Sequence, residues 1–128
     1  MIEVKKFSSK GRGIIATQNI PKDTLIEIAP VAVIPSEQGT ITNQIEVFKY
    51  YFVQPSEYEK SDKVNVYLVF GLASLCNHSE NSNARVDWKE DEIGWWSHLI
   101  AQEDIKEGEE VTLFYTNIDD YADAEKFV

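Results

Sequence analysis

Residues 64–85, VNVYLVFGLASLCNHSENSNAR, pass from a nearly continuous apolar segment into a turn rich in asparagine and serine. The apolar part, Val64 to Cys76, is either a buried strand or a buried short helix, because its hydrophobic period does not distinguish the two. The polar part begins with Asn77 and His78, whose side chains both donate and accept hydrogen bonds. These two residues therefore mark either a ligand site at the end of a buried element or an ordinary hydrogen-bonded turn.

Short apolar segments separated by turn residues lie on both sides of this stretch and predict strands. The predicted strands are Ile2 to Val4, Ile14 to Ala16, Leu25 to Ala29, Val31 to Ile34, Ala84 to Trp88, Ile93 to Ala101 and Val111 to Tyr115. Pro30 is expected to separate the third from the fourth. Asn43 to Phe52 instead has apolar residues at helical spacing and predicts a helix. The whole pattern indicates a mostly β domain of short, irregular strands.

A short segment occurs twice in similar form. Residues 16–23 read ATQNIPKD and residues 101–108 read AQEDIKEG. Each copy follows a predicted strand, contains a turn and leads into another strand. We expect two similar strand-turn-strand units, with Ile20 and Ile105 holding the turns against the core.

Length and composition limit the class of protein. A chain of 128 residues, 43% hydrophobic, fits one folded domain. It has 22 acidic and 12 basic residues, which argues against direct nucleic-acid binding and suits a basic partner, although acidity can also confer solubility alone. Because no apolar run is long enough to span a membrane and no signal peptide is evident, we expect an intracellular, soluble protein. The single cysteine, Cys76, excludes disulfides and cysteine-only zinc sites and is expected to be a small buried residue.

Two further motifs are weak evidence when taken alone. Gly11-Arg12-Gly13 lets the backbone turn tightly but is most often an ordinary turn. The segment from Gly108 to Tyr115 is a turn and a strand whose terminal tyrosine could simply fill the core or its rim. His98 lies in a strand pattern beside Trp96, and two isolated histidines make a poor metal site.

Together and in this order, the motifs resemble the SET domain family of protein lysine methyltransferases. The matching residues are Gly11-Arg12-Gly13 with Ile14, then Asn77-His78-Ser79 followed by Asn83-Ala84-Arg85, and finally Ala101 to Glu110 leading to Tyr115. The resemblance spans residues 2 to 116 and includes the repeated turn segment. The chain is most similar in size to minimal viral and bacterial members, and no cysteine-rich segment follows Tyr115.

The resemblance implies a fold and a domain arrangement. The expected fold is a mostly β SET domain, β-clip-like, with short curled sheets, a few short helices and a C-terminal pseudoknot. In the pseudoknot, where two segments of the chain cross, Asn77-His78-Ser79 and the strand ending at Tyr115 would lie together. Residues 1–118 would form the SET domain, and residues 119–128 a tail that either closes the active site or lies loosely on the surface.

The resemblance also implies an activity. The protein would transfer a methyl group from S-adenosylmethionine to a lysine side chain of a basic protein such as a histone, a histone-like protein or a ribosomal protein. The cofactor would lie on one face and the lysine would enter a narrow channel from the other, with no metal and no covalent intermediate. The alternative is a non-catalytic interaction module with the same fold. A homodimer that completes the site is compatible with the resemblance, as is a cytoplasmic or a nuclear location.

Residue roles follow from the matching positions. Tyr115 would be the catalytic tyrosine, with Tyr50 as a second catalytic residue and Tyr51 as its rival. The expected cofactor-binding residues are Gly11, Arg12, Gly13, Asn77, His78, Tyr115 and Phe127. The expected channel residues are Tyr50, Tyr51, Leu113, Tyr115 and Tyr121.

The sequence departs from the family pattern at three positions. Glu80 stands where many members have cysteine, and Ser82 stands where proline is common. Leu113 replaces an aromatic residue that affects how many methyl groups fit, so a smaller side chain there would leave room for more than one.

Overall fold

The computed structural model describes residues 1–9, 11–35, 51–52 and 65–115. Within these ranges, nearly all regular structure is β. The strands are β1 (Ile2–Phe7), β2 (Gly11–Ala16), β3 (Leu25–Ile34), β4 (Tyr51–Phe52), β5 (Val66–Val69), β6 (Asn77–His78), β7 (Ala84–Glu90), β8 (Trp95–Ala101) and β9 (Glu110–Leu113). A 3₁₀ helix, Leu72–Leu75, lies between β5 and β6. The predicted mostly β class is confirmed.

The strands form two sheets. One has the order β1-β2-β9-β6, and the other has the order β4-β5-β3-β8-β7. In the first sheet, β9 pairs antiparallel with β2 and parallel with β6. The late strand β9 is therefore enclosed between two strands from earlier in the chain, and this places the segment after β9 next to the end of β6.

The core lies between the sheets and draws apolar side chains from both of them. Its buried members include Ile14 of β2, Val69 of β5, Leu99 of β8 and Val111 of β9. Strand β8 alternates between buried and partly exposed residues, as expected for a strand with one face in the core. Strand β9 instead buries Val111, Thr112 and Leu113 in succession, because it is enclosed between β2 and β6. The first sheet thus fixes β6 and β9 against a common core.

The repeated turn segments pair with each other. Ile20 and Ile105 exchange two backbone hydrogen bonds of 2.7 and 2.8 Å, and both side chains are 1% exposed. The side chain of Asn19 accepts a hydrogen bond from the N–H of Glu107 at 2.9 Å, and that of Asp104 accepts one from the N–H of Lys22 at 2.8 Å. The prediction that the two isoleucines hold the turns to the core is confirmed. The reciprocal contacts make the two turns a symmetric pair.

The same symmetry extends to the backbone conformation of the turns. Asp23 and Gly108 occupy equivalent positions in the repeat and both have positive φ, 71° and 88°. The carbonyl oxygen of Ala101 accepts from the N–H of Asp23, and that of Ala16 accepts from the N–H of Gly108. The left-handed conformation is therefore required at both turns, and only the second uses glycine for it.

The predicted break at Pro30 is wrong, because β3 runs through it without interruption. The carbonyl of Pro30 accepts from the N–H of Phe70, just beyond the last pair between β3 and β5, Val31 with Val69. In a strand, the N and C=O of one residue point to the same side. The N–H that proline lacks would therefore face Phe70, the first residue after β5, so its absence ends the β3–β5 ladder there and leaves the pairing of β3 with β8 intact.

Other boundaries also differ from expectation. Tyr51–Phe52 is a strand, so the helix predicted to reach Phe52 is wrong at its end, and its remaining residues lie outside the described ranges. The apolar segment from Val64 contains both of the elements that its pattern allowed, a strand followed by a short helix. Strand β9 ends at Leu113, so that Tyr115 lies beyond the strand rather than in it. In the described part of the chain, no helix is long and apolar enough to cross a membrane.

Candidate active site

His78 and Tyr115 lie side by side at the end of the pair formed by β6 and β9. Because His78 pairs with Leu113 in parallel strands, the chain leaving β9 passes over the histidine ring. The backbone N–H of Tyr115 donates to Nδ1 of His78 at 2.9 Å, and the two ring centroids are 5.4 Å apart. The expected meeting of the asparagine–histidine turn with Tyr115 is found.

The contact determines which nitrogen of His78 carries the proton. Nδ1 accepts a hydrogen bond, so the neutral ring is protonated on Nε2. His78 is 2% exposed. Burial lowers its pKa from the ordinary value of 6.5, and the nearby carboxylate of Glu80 opposes this shift only in part. The ring is therefore neutral at pH 7 and remains an acceptor for the backbone of Tyr115.

The hydroxyl of Tyr115 donates a short hydrogen bond to the backbone carbonyl of Cys76. Cys76 follows the 3₁₀ helix and directly precedes β6. Its thiol is buried, and burial, with the charges of Glu27 and Glu110, raises the pKa of that thiol far above its ordinary range. The expectation of a small buried residue at Cys76 is confirmed. What Cys76 contributes to the site is its carbonyl oxygen.

Asn77 connects the first motif to the site. Its Nδ2 donates to the carbonyl of Arg12 at 3.2 Å and to Oε2 of Glu110 at 2.8 Å. Both amide protons of Asn77 are thus used, and its Oδ1 has no hydrogen-bond partner among the described residues. Oδ1 is consequently available to accept a hydrogen bond from a ligand donor, such as an ammonium group.

The two glycines of the first motif have different roles. Gly11 has φ of 75°, a left-handed conformation that begins β2. A Cβ at Gly13 would lie 2.7 Å from Nδ2 of Asn77, 2.7 Å from the ring of Phe7 and 2.9 Å from Oε2 of Glu110. Only glycine at position 13 lets β2 approach the Asn77 side chain this closely.

Asn83 fixes strand β9 from outside the site. Its Oδ1 accepts from the N–H of Thr112 at 2.9 Å, and its Nδ2 donates to the carbonyl of Glu110 at 2.8 Å. Asn83 therefore supplies side-chain partners for the β9 backbone at Glu110 and Thr112. The motif residue is structural, and it acts on the strand that leads to Tyr115.

Three contributors to the site were not identified from the sequence. Glu110 binds Asn77, the ring of Phe7 packs at Gly13, and Phe114 lies with its centroid 5.0 Å from that of His78 while 56% exposed. The sequence does contain a signal that could have identified Glu110, because a charged residue stands immediately before the three buried residues of a short strand. For Phe7 and Phe114, the apolar pattern alone gives no indication of their neighbours.

The remaining predicted residues lie partly inside and partly outside the described ranges. Leu113 lies in β9 beside His78, and its side chain is 3% exposed, within the core. The backbone of Tyr51 in β4 pairs with that of Leu68 in β5. Tyr50, Tyr121 and Phe127 lie outside the described residues. Among residues that the structure describes, no three histidine, cysteine, aspartate or glutamate side chains are grouped as metal ligands.

Comparison with known families identifies this arrangement. The sequence model of one family, described as the SET domain, matches residues 11–116, which include every described residue of the site except Phe7. The chain belongs to the SET domain family. The resemblance read from the motifs is thereby confirmed.

Relatives and solved structures agree with this assignment. The SET chain is 32% identical over 114 residues to a histone-lysine N-methyltransferase specific for H3 lysine-37 from Schizosaccharomyces pombe, covering 89% of this chain and 72% of the relative. It is 31% identical to an H3 lysine-36 specific enzyme of Mycosarcoma maydis, covering 94% of this chain but 12% of that protein. The Neurospora SET domain protein DIM-5, a histone lysine methyltransferase, has the same fold, with a TM-score of 0.68 at 20% identity over 91% of this chain and 52% of DIM-5. The expected SET fold is confirmed.

Proposed function

We propose that this SET domain transfers a methyl group from S-adenosylmethionine to the ε-amine of a lysine in a basic protein. The observation that carries the proposal is the double attachment of Tyr115, whose N–H binds His78 and whose hydroxyl binds the Cys76 carbonyl. Tyr115 is thus held at its backbone and at its hydroxyl, next to an asparagine with an available oxygen. This arrangement is suited to orienting an amine beside a charged cofactor. Relatives that are histone-lysine N-methyltransferases support the same assignment.

The residues present fit the cofactor. Oδ1 of Asn77 would accept from its α-ammonium group, and the backbone at Arg12 and Gly13 would lie along its methionine end. The exposed ring of Phe114, next to His78, offers a face on which an adenine could stack. When bound, S-adenosylmethionine supplies a methyl group on a positively charged sulfur. An acceptor oxygen and a stacking face are thus both present among the residues that would hold it.

Tyr115 and Cys76 would act on the incoming lysine. A lysine with a pKa near 10.4 is mostly protonated at pH 7, and removing that proton costs about 4–5 kcal/mol. Desolvation in a narrow channel lowers this cost, because it disfavours the ammonium form. The phenolic oxygen and the carbonyl oxygen both accept N–H groups, which would direct the nitrogen lone pair towards the methyl carbon. Such alignment supplies a large share of the rate in bimolecular transfers.

Tyr115 is not the base in this scheme, since its own proton is donated to the Cys76 carbonyl. The amine loses its proton to solvent before transfer. Tyr115 and the Cys76 carbonyl would hold the amine nitrogen in line with the methyl group that the cofactor would supply. His78 remains neutral and holds the Tyr115 backbone in position. The domain's own residues would therefore position, desolvate and orient the lysine amine.

The substrate is proposed from charge and from relatives. A net charge of −10 favours a basic partner, and the relatives named above act on histone H3. We propose that its substrate is a histone or another lysine-rich basic protein. Tyr50 and Tyr121 are proposed for the lysine channel and Phe127 for the cofactor, with residues 119–128 closing over it.

Methyl transfer tests the proposal directly. Purified protein would be incubated with S-adenosylmethionine labelled in the methyl group and with core histones, and label in protein would be counted. Tyr115→Phe should lower kcat by about 10²–10³-fold, the range for loss of one aligned catalytic hydrogen bond. Tyr67→Phe removes a hydroxyl from the aromatic cluster with Trp88 and Trp95 and serves as the matched control. A protein that binds no S-adenosylmethionine by calorimetry would instead be the non-catalytic interaction module.

A further inference from the structure

Glu27 is a half-buried carboxylate of β3 that reaches the segment leading into the site. Its Oε2 accepts from the N–H of Leu72 at 3.0 Å, and its Oε1 accepts from the N–H of Ala73 at 3.2 Å. These are the first N–H groups of the 3₁₀ helix, which lack partners within the helix. The preceding residue, Gly71, is extended and makes no side-chain cap. A carboxylate from 45 positions earlier supplies the cap instead.

The backbone around Glu27 is shaped for this contact. A Cβ on Gly71 would lie 2.6 Å from Oε1 of Glu27 and 2.7 Å from Cβ of Ala29. The register between β3 and β8 is irregular between Leu25 and Glu27. Such an irregularity redirects a side chain. The close approach of carboxylate and helix therefore depends on glycine at position 71 and on the irregular register of β3.

Three hydrogen bonds join Glu27 to the Tyr115 hydroxyl. The carboxylate fixes the nitrogen of Ala73, and the carbonyl of Ala73 accepts from the N–H of Cys76 at 3.2 Å. The carbonyl of Cys76 in turn accepts from Tyr115. Ala73 is fully buried, and so is Cys76. The helix consequently has little freedom to shift unless the carboxylate releases it.

We propose that Glu27 is a positioning residue for methyl transfer. It holds the 3₁₀ helix so that the Cys76 carbonyl meets the Tyr115 hydroxyl. This rests on the proposed function, because the hydroxyl matters only if Tyr115 orients an amine. Glu27 does not touch the reactants, and its effect is on the geometry of the step rather than on binding.

Glu27→Gln is the informative variant. Glutamine has one acceptor oxygen in place of two, and its amide N–H₂ would face a backbone N–H, so one of the two hydrogen bonds is lost. We expect kcat to fall about tenfold, because a small displacement of an aligning group is costly for the transfer step. The KM for histone and the Kd for S-adenosylmethionine should stay within about twofold, since neither ligand contacts Glu27. Glu3→Gln, an exposed glutamate of β1, is the matched control.

Gly71→Ala is a second variant that leaves Glu27 unchanged. The added methyl group would overlap both the carboxylate and Cβ of Ala29. Displacement of the carboxylate should give the same fall in kcat with unchanged KM, and the overlap with Ala29 should appear separately as a lower melting temperature. Both variants should be neutral in the Tyr115→Phe background, because the hydroxyl on which Glu27 acts is then absent. A structural residue that only lowers stability would instead give an additive loss.

Tyrosine NMR gives a readout that needs no activity. Protein labelled with ¹³C at tyrosine Cζ would show the Tyr115 resonance, assigned by its loss in Tyr115→Phe. We expect this resonance to shift in Glu27→Gln and Gly71→Ala and to stay in place in Glu3→Gln. An unmoved Tyr115 resonance, or a kcat equal to wild type, overturns the proposal. If wild type transfers no methyl group, the proposed function fails, and the NMR shift still decides whether Glu27 holds the Tyr115 hydroxyl.

Discussion

The backbone N–H of Tyr115 binds Nδ1 of His78, although the two residues are 37 positions apart in the chain. The contact exists because β9 lies parallel to β6 and the chain then continues over the histidine. It fixes three properties together: the tautomer of the ring, the place of the tyrosine backbone and the direction of its hydroxyl towards Cys76. A change in the charge of one ring is therefore transmitted to the geometry of the whole site.

Stability should depend on pH through His78. Its pKa is lowered in the native protein from the ordinary 6.5. As the pH falls through 6.5, the unfolded chain binds a proton that the native chain does not, so the free energy of unfolding decreases until the native pKa is reached. Above that window both states are neutral and the effect vanishes. Urea denaturation at pH 7.5, 6.5 and 5.5 (about one pH unit either side of the ordinary histidine pKa) measures this loss.

Two histidine variants separate this effect from acid titration elsewhere. His78→Gln removes the titrating ring, so its stability should vary less with pH over the same window. His98→Gln leaves His78 in place and is the matched control for removal of a histidine ring. Equal slopes in wild type and His78→Gln would show that the native histidine is not held neutral.

The meeting of Asn77-His78 with Tyr115 could be predicted from the sequence, because each motif is formed by residues that are close together in the chain. Asn77-His78 is contiguous, Tyr115 follows a turn with a glycine, and the repeated segment places Ile20 and Ile105 in equivalent surroundings. Each signal depends on neighbours in the chain. Their order along the chain then matches one family, whose fold supplies the missing spatial relationship.

A negative charge at position 77 should destabilise the fold, because the Glu110 carboxylate lies beside that side chain. Asn77→Asp would replace a donor by a second carboxylate at 2.8 Å from Oε2 of Glu110. Loss of the hydrogen bond and repulsion should lower the free energy of unfolding by about 1–3 kcal/mol. Adding Glu110→Gln restores a donor opposite the new carboxylate and should recover part of that loss. Urea unfolding of the two single variants and the double variant, as a cycle, tests the coupling; additive losses would argue against a direct contact.

The stability of each of the paired turns should depend on one side chain from the opposite turn. Asn19→Ala and Asp104→Ala both remove an acceptor for a backbone N–H of the opposite turn. Each should cost about 1 kcal/mol, the usual loss for a side chain that caps a backbone N–H. Asn19→Asp and Asp104→Asn keep the acceptor and should be nearly neutral. Asn81→Ala, at an exposed asparagine of another turn, is the control, and thermal melts provide the measurement.

The contacts that sequence could not supply are those set by register. Glu27 meets Ala73 because β3 is irregular before position 27, and no local period encodes that irregularity. Pro30 continues a strand because its nitrogen faces the end of a neighbouring strand. In both cases the outcome depends on where a second strand ends, which lies in a distant part of the chain. Composition and spacing carry no information about this.

Gly13→Ala should weaken cofactor binding more than it weakens the fold. The new Cβ would overlap three side-chain ends, those of Asn77, Phe7 and Glu110, all of which can move aside. The backbone of Gly13 does not have positive φ, so alanine introduces no conformational strain there. Moving the Asn77 amide, however, misdirects the Oδ1 that would bind the cofactor ammonium. Loss of one such charged hydrogen bond predicts about a tenfold or larger rise in the Kd for S-adenosylmethionine.

Gly94→Ala is the matched control for that substitution. Gly94 lies in the hairpin between β7 and β8, where a Cβ meets open space but φ is +151°, so alanine there strains the backbone. This variant should lower the melting temperature while leaving the Kd unchanged, the opposite of the Gly13 result. Calorimetric titration with S-adenosylmethionine and a thermal melt of both variants distinguish the two effects. An unchanged Kd in Gly13→Ala would mean that the cofactor does not use Asn77, because a Cβ 2.7 Å from Nδ2 requires that side chain to move.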